Sequence, residues 1–266
     1  MKHYSIAYQG GCFHCVQFGQ GEHLLVAFHG FGDQAGMFVE LEEALGERYT
    51  VVALDLPFHG QTEWPYETFN RADLLAVIER IRWQLARERI SLMGFSFGAR
   101  LALGMLPDLI PRLERLFLLS PDGIRTHSMW WALHTPICVR RWLARVLKNP
   151  TPVVRLLEIG RRLGWVSPHV IKFIKYNLKS YERRQRTFGC WLSLNAFYMP
   201  PFRFRQVIEQ SNLLVDIFIG AKDTIIHRET VYRLMQGLAN VRVFQLNTGH
   251  RIVGEALAEQ MKGLFT

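Results

Sequence analysis

The stretch that most constrains this chain is Ile90-Ser91-Leu92-Met93-Gly94-Phe95-Ser96-Phe97-Gly98-Ala99-Arg100-Leu101-Ala102-Leu103. It predicts an apolar strand, a tight turn with Ser96 at its apex, and an Ala/Leu-rich helix. A serine in Gly-x-Ser-x-Gly between strand and helix sits on a sharp, strained turn that lifts its hydroxyl above the sheet. Gly94 and Gly98 lack the Cβ atoms that would clash where strand and helix close on each other. The amide after the serine, that of Phe97, then lies at a helix N-terminus, where donors are unpaired and negative charge is favoured. By itself, the turn is also compatible with an ordinary surface serine.

The flanking sequence continues the same alternation. Leu24 to Phe28 and Thr50 to Leu54 are continuous apolar runs, as in strands buried on both faces. They end in His29-Gly30-Phe31-Gly32-Asp33 and Asp55-Leu56-Pro57-Phe58-His59-Gly60. His3 to Ala7 and Cys12 to Phe18, separated by Gly10-Gly11, predict a hairpin. Phe38 to Arg48 and Asn70 to Arg89 have helical spacing, the second with Leu74, Leu75, Ile78, Ile81 and Leu85 as its apolar stripe. The helix after the serine is expected to end before Pro107, and Leu113 to Leu119 to form the sixth strand. After Ser211 the alternation resumes. Strand Leu213 to Ile219 leads to Gly220-Ala221-Lys222-Asp223, and strand Val241 to Leu246 leads to Asn247-Thr248-Gly249-His250. Helices Thr230 to Leu238 and Gly254 to Leu264 follow those two strands.

Between the two halves the pattern changes. From Gly123 to Gln210 there are helical periodicities and no clear strand. This segment holds 16 Lys/Arg against three Glu and no Asp, whereas the rest of the chain holds 16 basic and 20 acidic residues. The formal charge of +9 is therefore local to the segment. It also contains Trp130, Trp131, Trp142, Trp165 and Trp191, expected to pack the helices or line an apolar pocket. Its basic faces fit a solvated surface, an anionic or carrier-bound substrate, or peripheral contact with anionic lipid. With no recognition module, no nucleic-acid partner is expected.

Alternating strands and helices give a mostly parallel sheet with helices on both faces, and ligands of such sheets bind beyond the strands' carboxyl ends. Every motif above lies at such an end, in the order Ser96, Asp223, His250. This combination resembles the α/β-hydrolase superfamily, whose members order their triad as serine, acid, histidine. The resemblance implies an α/β class fold with its core at 1–122 and 211–266 and a helical cap at 123–210. It implies a serine hydrolase cleaving an ester or thioester, with Ser96 as nucleophile, His250 as base and Asp223 as its orienting acid. The Phe31 and Phe97 amides would form the oxyanion hole. Asp122, after the sixth strand, competes with Asp223 for the acid role. His29 and His59 are expected to structure loops, His227 to lie on the surface or face the cap, and Asp33 to cap the next helix. Phe58 stands where the family often has glycine, with little consequence expected.

Arg100 gives a narrower likeness. Its place one turn after the serine is similar to the elbow of menaquinone-pathway cyclohexadiene-carboxylate synthases, pyruvate-eliminating lyases in which arginines hold substrate carboxylates. Phe95, Phe97 and Ala99 depart from that pattern. The basic segment is also similar in composition to the carrier-protein methyl esterases. A non-catalytic member of the family is the third reading.

No phosphate loop, dinucleotide fingerprint or metal cluster is visible, so no cofactor is expected. Cys12 and Cys15 have Cys-x-x-Cys spacing, but in a strand they point to opposite faces, and no second ligand pair follows. Reduced thiols, no secretory signal and no apolar run near the roughly 20 residues of a membrane span lead to the expectation of a cytoplasmic protein.

Overall fold

The computed structural model describes residues 1–124, 149–165 and 168–265, with the single positions 136, 138, 139, 142, 145 and 146. Eight strands form one sheet: β1 Lys2–Tyr8, β2 Gly11–Phe18, β3 His23–Phe28, β4 Tyr49–Leu54, β5 Ile90–Phe95, β6 Leu113–Leu119, β7 Leu214–Gly220 and β8 Val241–Leu246. Their spatial order is β1-β2-β4-β3-β5-β6-β7-β8. The β1–β2 and β2–β4 pairs are antiparallel, and all later pairs are parallel.

The apolar runs are continuous because each strand feeds two cores. Val26 and Phe28 of β3 face one hydrophobic cluster and Leu25 and Ala27 the other, as the two-residue period of a strand requires. Val52 and Leu54 against Val51 and Ala53 repeat this in β4. The first cluster is covered by α2 (Arg71–Gln84) and α3 (Phe97–Leu109). The second is covered by the 3-10 helix Ala35–Leu41, the short α1 (Glu42–Leu45) and α9 (Glu255–Lys262). Each large side chain buried this way contributes roughly 1.5–3 kcal/mol.

Two helices differ from their sequence expectation. α3 runs through Pro107 to Leu109 rather than stopping before the proline. Pro107 lies in the last turn, so the bond it costs, that to the Leu103 carbonyl, is confined to the helix end. The region from Phe38 begins as a 3-10 helix, although Phe38, Leu41 and Leu45 are buried together as the spacing predicts. α2 starts from a capping box between Asn70 and Asp73. It ends at Gln84, before Ala86 turns to φ 50°.

Between β6 and β7 lie α4 (Thr151–Arg162), α5 (Pro168–Leu178), α6 (Tyr181–Ser193) and α7 (Pro201–Glu209), followed after β7 by α8 (Arg228–Met235). From Cys190 onward this segment joins the first core: Cys190, Leu194, Phe197, Phe204 and Ile208 all belong to it. Phe197 sits against Gly104 of α3, where an added Cβ would lie 2.7 Å from its backbone. The Ser193 hydroxyl accepts the buried Phe69 amide at 2.9 Å. The last part of the segment thus anchors α4 and α5 to the sheet.

Candidate active site

Ser96 lies between β5 and α3 with φ 49° and ψ −111°, a conformation that costs a non-glycine residue of order 1–3 kcal/mol. Its surroundings hold it there. A Cβ on Gly94 would lie 2.5 Å from the Ala99 backbone, and one on Gly98 would lie 2.0 Å from the Phe28 carbonyl oxygen. Only glycine lets β5, α3 and β3 meet this closely. The Ser96 carbonyl accepts the amides of Ala99 and Asp122 at 3.0 and 3.2 Å, tying the turn to the loop after β6.

Asp223 and His250 come from the loops after β7 and β8. The Ser96 hydroxyl and His250 Nε2 are 2.9 Å apart, and His250 Nδ1 is 2.8 Å from Asp223 Oδ2. A carboxylate can only accept here, so Nδ1 carries the proton and Nε2 is free to accept from Ser96. Asp223 Oδ1 accepts the amides of Ile225 and Ile226 at 2.8 and 3.0 Å. Burial pushes the Asp223 carboxyl up, but the Ile226 amide, His250 and the Ile225 amide together outweigh it and hold the group below its ordinary value.

Phe97 is the first residue of α3, so its amide has no intrahelical acceptor. Phe31 occupies a turn closed by the Asp33 amide on the Gly30 carbonyl at 3.2 Å, with Gly32 at φ 83°. The positive φ at the third position is why a glycine stands there. Phe95 lies below this turn. A Cβ on Gly30 would meet its ring at 2.8 Å, and the same ring is 5.5 Å from the His250 imidazole. Phe95 therefore supports both the Gly30 turn and the histidine.

Residues 24–261 match the model of a family described as "Alpha/beta hydrolase family". The chain belongs to the alpha/beta hydrolase family. The abhydrolase domain-containing protein abhd-5.2 of Caenorhabditis elegans is 29% identical over 254 residues, spanning 87% of this chain and 55% of that protein. The uncharacterized hydrolase YugF of Bacillus subtilis is 30% identical over 147 residues, spanning 50% of this chain and 52% of that protein. The chain thus spans about half the length of these curated relatives. The thioesterase domain from the curacin biosynthetic pathway has a TM-score of 0.69 at 18% identity, over 100% of this chain and 99% of that one. At that identity the likeness shows the fold. Members of this superfamily are mostly hydrolytic enzymes.

Arg100 and Asp122 lie together beside the Ser96 turn. Arg100 is 3% exposed and forms a two-pronged pair with Asp122, Nε to Oδ2 at 3.0 Å and Nη2 to Oδ1 at 2.9 Å. The guanidinium expected to bind a substrate carboxylate is already occupied by an internal one. The carboxylate that rivalled Asp223 is held by Arg100, while His250 pairs with Asp223. No sequence spacing advertises this contact, because it joins α3 to the loop after β6.

His29 and His59 hold loops. His29 Nε2 accepts the Leu56 amide at 3.0 Å, and its Nδ1 lies 2.7 Å from the Gly30 carbonyl. His59 Nδ1 lies 2.9 Å from the Pro57 carbonyl, and its ring meets Phe31 edge to face. Burial first, then the neighbouring His29 and Arg186, lower the His59 value to about 3. Asp33 does not cap the following helix. It pairs with Arg251, whereas the Ala35 amide is taken by Asp55 at 2.6 Å. Asp55 also binds His14 Nδ1 and the Gln61 amide, both at 2.8 Å. This buried carboxylate joins β2, the 3-10 helix and the His59 loop, a role that no period in the sequence marks.

Phe58 also has more consequence than its sequence suggests. It keeps φ 70°, a value suited to glycine. Its ring fills the space over Gly189 of α6, where a Cβ would lie 2.4 Å from Cε2, and its carbonyl accepts from Arg186 Nε at 3.3 Å. The His59 loop is thereby fastened to α6.

A cavity of about 170 Å³ lies between Asp122, Ile124, Ile226, His227 and Val231. It borders the site directly, since Asp122 bonds the Ser96 backbone and Ile226 bonds Asp223. His227 is exposed on its rim. Among the tryptophans, Trp191 packs partly into the core, Trp142 is 46% exposed and Trp165 80% exposed, while Trp130 and Trp131 lie outside the described residues. Cys12, Cys15, Cys138 and Cys190 are free. Burial foremost, then Asp55 and Cys12, pushes the Cys15 thiol up to about 12. Among the described residues no group of three or more His, Cys, Asp or Glu could hold a metal ion, and no helix is long and apolar enough to cross a membrane.

Proposed function

We propose that this protein is a serine hydrolase that cleaves a carboxylic ester or thioester through an acyl-enzyme. The observation that carries this reading is the continuous chain Ser96–His250–Asp223, with contacts of 2.9 and 2.8 Å. Ser96 Oγ attacks the substrate carbonyl carbon while its proton passes to His250 Nε2. Asp223 keeps the imidazole in the correct tautomer and stabilises its charged form. As the new C–O bond forms, the carbonyl electron pair moves onto oxygen, where the amides of Phe31 and Phe97 receive it. Each such donor contributes roughly 3–4 kcal/mol in other hydrolases. The tetrahedral species then collapses. The leaving oxygen or sulfur takes the His250 proton and the acyl group stays on Ser96. Water, activated by the same histidine, repeats the sequence and releases the acid. The cavity beside Ile226 and Ile124 would receive one end of the substrate.

The lyase alternative has arginines holding substrate carboxylates; the Arg100–Asp122 pair favours hydrolysis over it. A non-catalytic role leaves the strained Ser96 backbone without a reason. Hydrolysis of p-nitrophenyl esters of increasing acyl length tests the proposal. We expect turnover that falls by about 10⁴-fold or more in Ser96→Ala. Turnover unchanged in that variant would remove Ser96 from the reaction.

A further inference from the structure

α4 is apolar on two sides. Val153 and Leu157 turn inward, where with Ile174, Leu178 and Phe188 they line an apolar cavity of about 220 Å³. The outer side carries Pro152, Leu156, Ile159 and Leu163, spaced four, three and four residues apart and so aligned along one helix face. Leu156, Ile159 and Leu163 are 65%, 53% and 52% exposed. An inward apolar face is what packing a helix onto its neighbours requires. Among the described residues the second stripe serves no contact of that kind.

The helix end adds a fourth apolar group. Gly164 stands at φ 74°, its amide bonds the Arg161 carbonyl at 3.0 Å, and the Trp165 amide bonds the Gly160 carbonyl at 2.9 Å. This is the paired Schellman arrangement, in which the residue after the left-handed glycine packs against the side chain three from the helix end. Here that position is Gly160, which has no side chain to offer. The backbone bonds fix the place of Trp165 at the end of the row, and its indole is 80% exposed.

The flank of the stripe is cationic. Arg155 and Arg162, seven residues apart, are both exposed. The acid on this helix, Glu158, is paired with Arg161 and with Lys175 of α5, so its charge is locally neutralised. The segment around α4 carries 16 basic residues against three acidic ones. A straight row of aliphatic side chains, a tryptophan at its end and arginines along its edge are the features of a helix lying in a bilayer interface.

We infer that the outer face of α4, with Leu156, Ile159, Leu163 and Trp165, seats on an anionic lipid surface. The aliphatic row enters the boundary between headgroups and acyl chains, and Arg155 and Arg162 meet lipid phosphates. An acidic protein partner would match the arginines, but it would leave the aliphatic row to be matched by a groove of its own. A bilayer supplies both environments without such a groove.

Sedimentation of the full chain with vesicles tests this, using phosphatidylcholine alone or with added phosphatidylserine. We expect binding to the anionic vesicles that weakens as salt is raised. Leu156→Ser with Leu163→Ser should lower the partition coefficient by about tenfold or more, and Arg155→Gln with Arg162→Gln by a smaller factor. Unchanged circular dichroism and thermal midpoint would show that these exposed changes leave the fold intact. Wild-type protein remaining in the supernatant with anionic vesicles would overturn the inference and turn attention to a protein partner. Sedimentation of L156S/L163S equal to wild type would overturn it too.

Discussion

The loops at the carboxyl ends of β3 to β8 and the outer helices α4 and α5 solve opposite problems. At the loops, charged side chains are matched to partners: Asp223 with His250, Arg100 with Asp122, Asp55 with His14 and two amides. Strain at Ser96 is tolerated because glycine contacts on both sides leave the turn no alternative. In α4 and α5, by contrast, ion pairs such as Glu158–Lys175 lie at the surface and large apolar groups face outward. Surface pairs of that kind contribute little, with a median near 0–1 kcal/mol. The loops are built to fix atoms in place, while the outer helices display a surface. One region can therefore be disturbed by a single atom and the other only by changing a whole face.

The sharpest way to break that contrast is to exchange the two carboxylates that competed for one role. Asp223→Asn should lower kcat by about 10⁴-fold in a protein that still folds, because an amide at this position favours the wrong imidazole tautomer. Asp122→Asn should act the other way. It leaves the buried Arg100 guanidinium with a neutral partner and should cost roughly 1–3 kcal/mol of stability, while the Ser96–His250–Asp223 chain remains. Ester turnover and urea unfolding on both variants separate the two. Turnover abolished by Asp122→Asn in a folded protein would reverse the assignment.

Why was Asp223 legible in the sequence and the fate of Arg100 not? Asp223, Ser96 and His250 each follow an apolar strand, and parallel sheets gather strand ends into one crevice. Chain order and strand periodicity are enough to bring them together. The same reasoning finds the two cores, because continuous apolar runs imply burial on both faces. The pairing of Arg100 with Asp122 depends on side-chain reach across a loop, which no period encodes. The Phe58 ring over Gly189 joins positions far apart in the chain, so a residue that reads as a departure at one of them is a fitted contact with the other. In α4 the spacing reveals two apolar stripes, but it does not say which of them other helices cover. Trp165 is brought to the end of the row by the turn at Gly164, a backbone arrangement rather than a hydropathy pattern.

Acid sharpens the contrast next. The folded value of His59, about 3 against 6.5 for the free side chain, means that the unfolded chain takes up a proton the folded chain refuses. Stability from this residue is fully present above about pH 6.5 and declines as pH falls towards 3, by up to ~1.4 kcal/mol per pH unit. His29, also lowered by burial foremost, adds in the same direction. On the helical side, Lys175 first and then Arg161 hold Glu158 at about 2, so that carboxylate stays charged through the same range. Urea midpoints between pH 7 and pH 4 should therefore fall, and fall less steeply in His59→Gln. Equal slopes in the two proteins would mean that His59 does not carry the dependence.

The smallest predicted effect tests the joint between the two regions. Phe58 belongs to the site-side loop and Gly189 to α6, and the ring of one occupies the space of the other's missing Cβ. Gly189→Ala should cost about 1–3 kcal/mol, since the ring cannot retreat while its backbone is fixed at φ 70°. Phe58→Gly relieves roughly 1 kcal/mol of left-handed strain but loses the packing against Phe69 and α6, so its net effect is smaller than the ring's size suggests. In the double variant the methyl added by Gly189→Ala enters space the ring has vacated, and the two costs should fail to add by about 1 kcal/mol or more. A cycle that closes additively would mean that the ring and Gly189 are not coupled, and that loop and helix are held by Arg186 on the Phe58 carbonyl and Ser193 on the Phe69 amide. Arg186→Ala would then cost more than either change at the ring, and the ring would be only the filler of a gap.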